Sequence, residues 1–155
     1  MRLPPFQKLI DAHGRDVHRL LIALVGRDDA EDCYQETWLA ALRAYPRLRD
    51  ASNLRAWVLT IAHRKALDQL RVRRRVHAPV SELPDRPARP AAPLPDEALW
   101  RQVRQLPSKQ RTALALRYVA DASYAEISAV MQTSEEAARR SVHEGLKRLR
   151  MEYQP

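Results

Sequence analysis

The chain is short of nearly everything that builds sheets, disulfides or membrane spans. Three glycines occur in 155 residues, and no segment alternates apolar and polar residues over the length of a strand, so a β-sheet has little to be made from. A single cysteine, Cys33, excludes an intrachain disulfide and fits a reducing compartment. The longest uninterrupted apolar run, Leu20 to Val25, has six residues, against about twenty needed to cross a bilayer. Met1 to Phe6 contain no signal-peptide apolar segment, so a cytoplasmic location is expected. Chemistry-bearing motifs are missing too. There is no G-x-x-x-x-G-K, G-x-G-x-x-G, C-x-x-C or H-E-x-x-H, and His13, His18, His63, His77 and His143 are scattered. No catalytic residues, metal or cofactor are expected, because nothing assembles nucleophile, base and orienting group.

What is present is helix-forming and basic. Hydrophobic residues make up 45% and charged residues 30%, the balance of a globular domain rather than a disordered chain. Ala, Leu, Arg and Glu dominate, and an all-α fold is expected. The net charge is +8 and the pI near 10.2. That excess favours a polyanionic partner, nucleic acid first and an anionic membrane surface second.

Proline divides the chain. Six of the eleven prolines fall between Pro79 and Pro95, where each removes a backbone donor and restricts its predecessor, so no helix is expected. Residues 77–95 read as an extended linker, with an N-terminal domain over 1–76 and a C-terminal domain over 96–155. At about 3.1 Å per residue the Pro-rich stretch spans about 50 Å, more than the roughly 34 Å of one DNA turn. The N-terminal part holds 15 Lys/Arg against 9 Asp/Glu, and the C-terminal part 10 against 8. The N-terminal part is therefore the more basic, which a neutral body with a DNA-binding tail would not be.

Three helices are expected in the N-terminal part. The first, Pro5 to Leu24, carries an apolar stripe of Leu9, Ile10, Val17, Leu20, Leu21 and Leu24 at helical spacing. The second, Asp28 to Tyr45, turns Ala30, Cys33, Tyr34, Thr37, Trp38, Ala41 and Tyr45 inward. Asp28, Asp29, Glu31 and Asp32 suit the positive end of its dipole better than a metal, since no histidine is spaced to assist. Asp32, Gln35, Glu36 and Leu39 lie on its opposite face. The third, Asn53 to Arg75, buries Leu54, Trp57, Val58, Ile61 and Ala62. Its second half carries His63, Arg64, Lys65, Arg71, Arg73, Arg74 and Arg75, more cations than capping needs, which points to a ridge tracking phosphates. The polar connector Pro46 to Ser52 suits the reading of an unstacked base.

The C-terminal part reads as helices from Asp96 to Leu106 and from Lys109 to Ala120, then a helix-turn-helix over Ser123 to Arg150. Ser123 with Glu126, and Thr133 with Glu136, each match the S/T-x-x-E capping box, on either side of a turn at Gln132. In the last helix Ala138, Val142, Leu146 and Leu149 point inward, while Arg139, Arg140, His143, Lys147 and Arg150 point outward. Such a basic face fits a major groove, where arginine binds guanine with two hydrogen bonds. Gly145 costs about 1 kcal/mol against alanine in a helix interior, and close packing is the expected reason for it.

Taken together these segments resemble the extracytoplasmic-function (ECF) sigma factors of bacterial RNA polymerase, over nearly the whole chain. DAEDCYQETWLAALRAY is similar to the family's polymerase-binding helix, with a D-x-x-Q-E core at Asp32, Gln35 and Glu36. NLRAWVLTIAHRKALDQLRVRRR resembles the helix that recognises and opens the minus-ten element. LPSKQRTALALRYVADASYAEISAVMQTSEEAARRSVHEGLKRLR resembles the domain that reads the minus-thirty-five element. The resemblance implies a dissociable initiation subunit, not an enzyme. Asp32, Gln35, Glu36 and Leu39 would meet the clamp helices of the polymerase largest subunit. Arg49, Ser52 and Asn53, with His63, Arg64 and Arg71, would hold the non-template strand at minus ten. Arg139, Arg140, Ser141, His143 and Lys147 would face minus thirty-five. Core polymerase, promoter DNA and a cognate anti-sigma factor are the implied partners. Two positions depart from the family. Arg64 stands where many relatives carry a base-contacting asparagine. Glu144 stands where a basic residue is frequent, and would accept from cytosine N4 or pair with Arg140 or Arg148. Two other readings compete. A helix-turn-helix regulator that does not bind core polymerase leaves the basic N-terminal part unexplained, and an enzyme with a DNA-binding domain lacks a catalytic constellation.

Overall fold

A computed structural model describes residues 2–75 and 96–152, so the expected linker at 77–95, and His77 with it, lie outside the described residues. Within them every regular element is helical: α1 (Phe6–Val25), α2 (Arg27–Ala44), a 3-10 turn (Tyr45–Arg47), α3 (Leu54–Arg75), α4 (Glu97–Arg104), α5 (Ser108–Tyr118), α6 (Tyr124–Met131) and α7 (Glu135–Glu152). The all-α expectation holds.

Local chemistry explains most of the boundaries. Pro4 and Pro5 precede α1 and donate no backbone N–H. Gly26, at φ 84°, makes the whole turn between α1 and α2, a conformation costly for any residue with a Cβ. Because that turn needs one residue, α2 begins at Arg27, just before the expected Asp28. Asn53 caps α3, its Oδ1 accepting from the Ala56 N–H at 2.9 Å. Ser123 and Glu126 form the complete reciprocal box at the start of α6, and Gln132 ends that helix in the left-handed region at φ 53°. The second expected box, Thr133 with Glu136, does not form. Ser134 caps α7 instead, its Oγ accepting from the Ala137 N–H at 3.0 Å, while the Thr133 N–H closes the turn onto the Ser128 carbonyl. With Ser134 as cap the third helical position is Ala137, which has no carboxylate to complete the box.

Helices α1, α2 and α3 pack on one another around an aromatic group. Phe6 lies against Trp38 and Tyr45, with ring centroids 5.9 and 5.3 Å apart, and Trp57 and Tyr34 extend the group. The Tyr45 hydroxyl donates to the Pro4 carbonyl, tying the N-terminus to the end of α2. In the C-terminal part α7 packs on α5 and α6. A Cβ on Gly145 would come within 2.9 Å of Leu114 Cδ1 and 3.1 Å of its Cγ, so the glycine permits the close approach of α7 to α5.

The two helical groups share one continuous core. α1 touches α4 and α5 as well as α2 and α3, and α3 packs against α6. This corrects two sequence expectations. Leu20 to Val25 is buried all round, Ile22, Ala23 and Val25 included. A helix that is apolar on every side belongs between neighbours on every side. On α3, Leu54, Trp57 and Ile61 are only partly buried, whereas Ala56, Leu59 and Ala66, outside the expected stripe, are fully buried.

Candidate functional site

Three solvent-facing surfaces carry the residues picked out from the sequence. The first is the outer face of α2. Asp32, Gln35, Glu36 and Leu39 are all exposed, while Cys33, Thr37 and Trp38 turn inward. Leu42, one turn beyond Leu39, belongs with them: the two side chains are 52% and 47% exposed. The two leucines make a small apolar patch beside these polar side chains. The signal for Leu42 was its spacing of three from Leu39. Asp29 is not part of this face, for its Oδ2 pairs with Arg73 Nε at 2.6 Å. One arginine of the ridge on α3 is thereby engaged. Burial pushes the Asp29 carboxyl above its ordinary range, and Arg73 opposes that. Cys33 sits in the core, its thiol pushed up to about 11 by burial first and then by the surrounding carboxylates, so it is not a reactive thiolate.

The second surface combines the connector before α3 with α3 itself. Asp50 accepts from the Ser52 N–H at 2.9 Å and fixes the turn. Arg49, Ser52, Arg64 and Arg71 are exposed, with Arg71 beside Asp68 at 3.6 Å. Asn53 is exposed as well but bonded across to α6, and His63 lies deeper. Asn53 Nδ2 donates to Glu126 Oε2 at 3.3 Å, and Glu126 also receives Arg55 Nη1 at 3.1 Å. His63 is half-buried, beside the Val130 backbone. Burial lowers its pKa below the ordinary 6.5, the nearby Arg64 and Arg111 lower it further, and the Val130 backbone opposes them. Glu126 is pushed up by burial, yet the Ser123 N–H, Asn53 and Arg55 outweigh that and hold it below the usual carboxylate range.

The third surface is α7. Arg139, Arg140, His143 and Lys147 are exposed, and Ser141 is partly so. Arg139 lies over the ring of Tyr124, 4.9 Å from its centroid, and Arg117 lies 4.4 Å from the same centroid. Arg117 also donates to the Ala122 carbonyl. Tyr124 therefore links the first helix of the helix-turn-helix to the head of the second. Glu144 is exposed, and Arg148, one expected partner for it, pairs with Glu152 at 3.0 Å.

Residues 9–76 match the family model for sigma-70 region 2, and residues 96–149 match that for sigma-70 region 4. The chain is 33% identical over 153 residues to RNA polymerase sigma factor CarQ of Myxococcus xanthus, covering 94% of this chain and 87% of the relative. It is 34% identical over 131 residues to ECF RNA polymerase sigma factor SigC of Mycobacterium tuberculosis, covering 80% of this chain and 70% of that one. The chain belongs to the ECF sigma factors. Among solved structures, sigma factor RpoE of Bartonella quintana, in complex with the anti-sigma factor NepR, superposes with a TM-score of 0.76 at 23% identity, covering 94% of each chain. CnrH, in complex with the cytosolic domain of CnrY, gives 0.70 at 19% identity. Both establish the sigma-factor fold. Among the described residues no helix is long and apolar enough to cross a membrane.

Proposed function

We propose that the three surfaces divide the work of this RNA polymerase sigma factor, which binds core polymerase and directs promoter-specific initiation. Residues 1–76 form the unit that holds core polymerase and opens the minus-ten element. Residues 96–155 form the unit that reads minus thirty-five, and residues 77–95 set the distance between the two. The outer face of α2 meets the polymerase clamp helices through Asp32, Gln35, Glu36 and Leu39, with Leu42 extending the apolar part. The observation that carries this assignment is two exposed leucines beside an exposed carboxylate and amide, on a helix whose other face is fully packed.

Arg49, Ser52, Asn53, His63, Arg64 and Arg71 receive the non-template strand. Capturing it means holding bases out of the stack, at about a few kcal/mol each, so a polar pocket and a cationic track are needed side by side. Arg139, Arg140, Ser141, His143 and Lys147 enter the major groove. Arg139, braced by Tyr124, is the arginine best held for a two-bond contact with guanine. The protein carries out no catalysis of its own and acts in the cytoplasm, where polymerase is. An anti-sigma factor is a further partner, as RpoE has in NepR.

The test is run-off transcription with core polymerase lacking sigma, on a promoter library. Specific transcripts are expected, and absence of both transcript and core binding would overturn the reading. Replacing Gln35 and Glu36 together by alanine should weaken core binding by about tenfold or more, as for residues central to an interface, without lowering thermal stability. Unchanged affinity would remove the α2 face from the contact.

A further inference from the structure

We infer that Pro4 and Phe6 belong to the minus-ten reader: acting through Tyr45, they fix the stance of the connector that carries Arg49 and Ser52. This rests on the reading of that connector given above and adds the residues that position it. Both feet of the connector meet at one ring. Tyr45 directly precedes Pro46, is 8% exposed, and opens the 3-10 turn, which the Leu48 N–H closes onto the Tyr45 carbonyl at 3.1 Å. Its ring centroid lies 6.1 Å from that of Trp57, in the first turn of α3. The Trp57 N–H in turn donates to the Asn53 carbonyl at 3.2 Å. Residues 46–52 are thus a loop whose two ends are joined by an aromatic pair, at a separation where such rings attract. Between the feet, Leu48 packs on the core and Asp50 fixes the turn at Ser52, while Arg49 and Ser52 face solvent. Loops closed in this way are frequent carriers of function.

The N-terminal segment holds Tyr45 in place. The Tyr45 hydroxyl donates to the Pro4 carbonyl, and Phe6 lies against the Tyr45 ring at 5.3 Å and against Trp38 at 5.9 Å. The Pro4 carbonyl is available for this bond because the first turn of α1 uses the next one, the Lys8 N–H bonding the Pro5 carbonyl at 3.0 Å. Pro4 and Pro5 each lock their own φ and push the residue before them toward an extended backbone. The segment is therefore a stiff strap, with Leu3 packed on the core at one end and α1 beginning at the other.

Stiffness matters because of what the connector does. Choosing one unstacked base over another needs polar groups held to within about 0.5 Å, and a loop attains that only where packing locks its supports. The pull on the strand's phosphates is a separate, sequence-independent term, and the exposed Arg64 and Arg71 supply it from a helix. Loosening the strap should cost choice among minus-ten sequences and leave that pull in place.

The test is run-off transcription by the full chain with core polymerase, on promoters randomised at minus ten with a constant minus-thirty-five element, and on the converse library. The readout is the ratio of transcript from the preferred minus-ten sequence to the library average. Phe6→Ala should lower it about threefold to tenfold, less than the best whole base contacts are worth. Tyr45→Phe keeps the ring and loses only the bond to Pro4, and should lower the ratio about twofold. In both variants, choice at minus thirty-five and affinity for core polymerase should match the wild type. Val17→Ala truncates the same core about three turns along α1 from Phe6 and controls for lost stability; its minus-ten ratio should be that of the wild type. A wild-type ratio in either strap variant would overturn the inference. So would an equal loss on every minus-ten sequence, or a matching loss in the control. Arg49→Ala/Ser52→Ala separates this from the reading beneath it. If that variant keeps the wild-type ratio, the connector does not read the base and the inference falls with it. If it loses the ratio while the strap variants do not, the inference alone fails.

Discussion

The two surfaces assigned to DNA share a chemistry and differ in what already holds their polar groups. On α7 the cationic side chains stand in solvent, and the contact that fixes Arg139 comes from the side, from the ring of Tyr124. On α3, Asn53 bonds Glu126 of α6, and His63 is half-buried beside the same helix. In the half of the chain with the larger positive excess, two of the six residues assigned to the strand lie against α6, while Arg49, Ser52, Arg64 and Arg71 face solvent. Charge draws a nucleic acid toward a surface, but hydrogen bonds decide whether the surface is available.

The largest expected effect breaks the open member of the pair. Gly145→Val drives a branched side chain into Leu114, where a Cβ alone would already be within 2.9 Å. It should cost about 1–3 kcal/mol, the usual range for overpacking a core, read as a shift of the urea midpoint. No shift would remove close packing as the reason for the glycine.

A second effect, of comparable size, sharpens the open surface. Arg139→Ala should lose about 1–3 kcal/mol of discrimination at one minus-thirty-five position if it contacts a base. An equal loss on every sequence would assign it to a phosphate. Tyr124→Leu should lose about 0.5–1 kcal/mol of the same discrimination, the scale of a cation–π contact at an exposed site, and Tyr124→Phe should keep it. If Tyr124→Phe fails as well, the hydroxyl rather than the ring face is what matters.

The smallest effect bears on the engaged surface and depends on pH. Burial holds His63 below 6.5, so the folded chain keeps it neutral. As pH falls through about 6.5, the unfolded chain takes up a proton that the folded chain refuses, and the folded state loses stability until the lowered value is passed. His13 on α1 acts in the same sense, lowered by burial and then by Arg55, with Asp16 opposing. Glu126, held below the ordinary carboxylate range, stays charged over that interval. The urea midpoint should therefore fall modestly between about pH 7.5 and about pH 5.5, and His63→Gln should flatten that slope. An unchanged slope in that variant would exclude His63 as the source.

Much of this molecule was legible in its residues. The outer face of α2 could be read because Cys33, Thr37 and Trp38 mark the inner face by their spacing, leaving Asp32, Gln35, Glu36 and Leu39 outside. The cap of α6 could be read because both halves of its box lie within four residues. The cap of α7 was assigned one residue early, since Thr133 and Ser134 are both competent hydroxyls and only the path of the turn from Ser128 chooses between them. The buried face of α3 was drawn too narrow. Ala56, Leu59 and Ala66 are buried too, because α3 packs on α1, α2 and α6 together, and helical periodicity carries no information on partners as far away in the chain as Glu126 is from Asn53.

The sequence by itself determined the helices, the basic excess, the family and the polarity of each face, because these depend on neighbours three or four positions away and on composition. Only the tertiary structure decided that Leu20 to Val25 is enclosed on every side, that the capping carboxylate of α6 also holds α3, and that the basic face of α7 stands in solvent while His63 of α3 lies against α6. Those features arise from contacts between distant segments, and their physical basis is the burial of apolar surface and the pairing of partly shielded charges once the two helical groups meet.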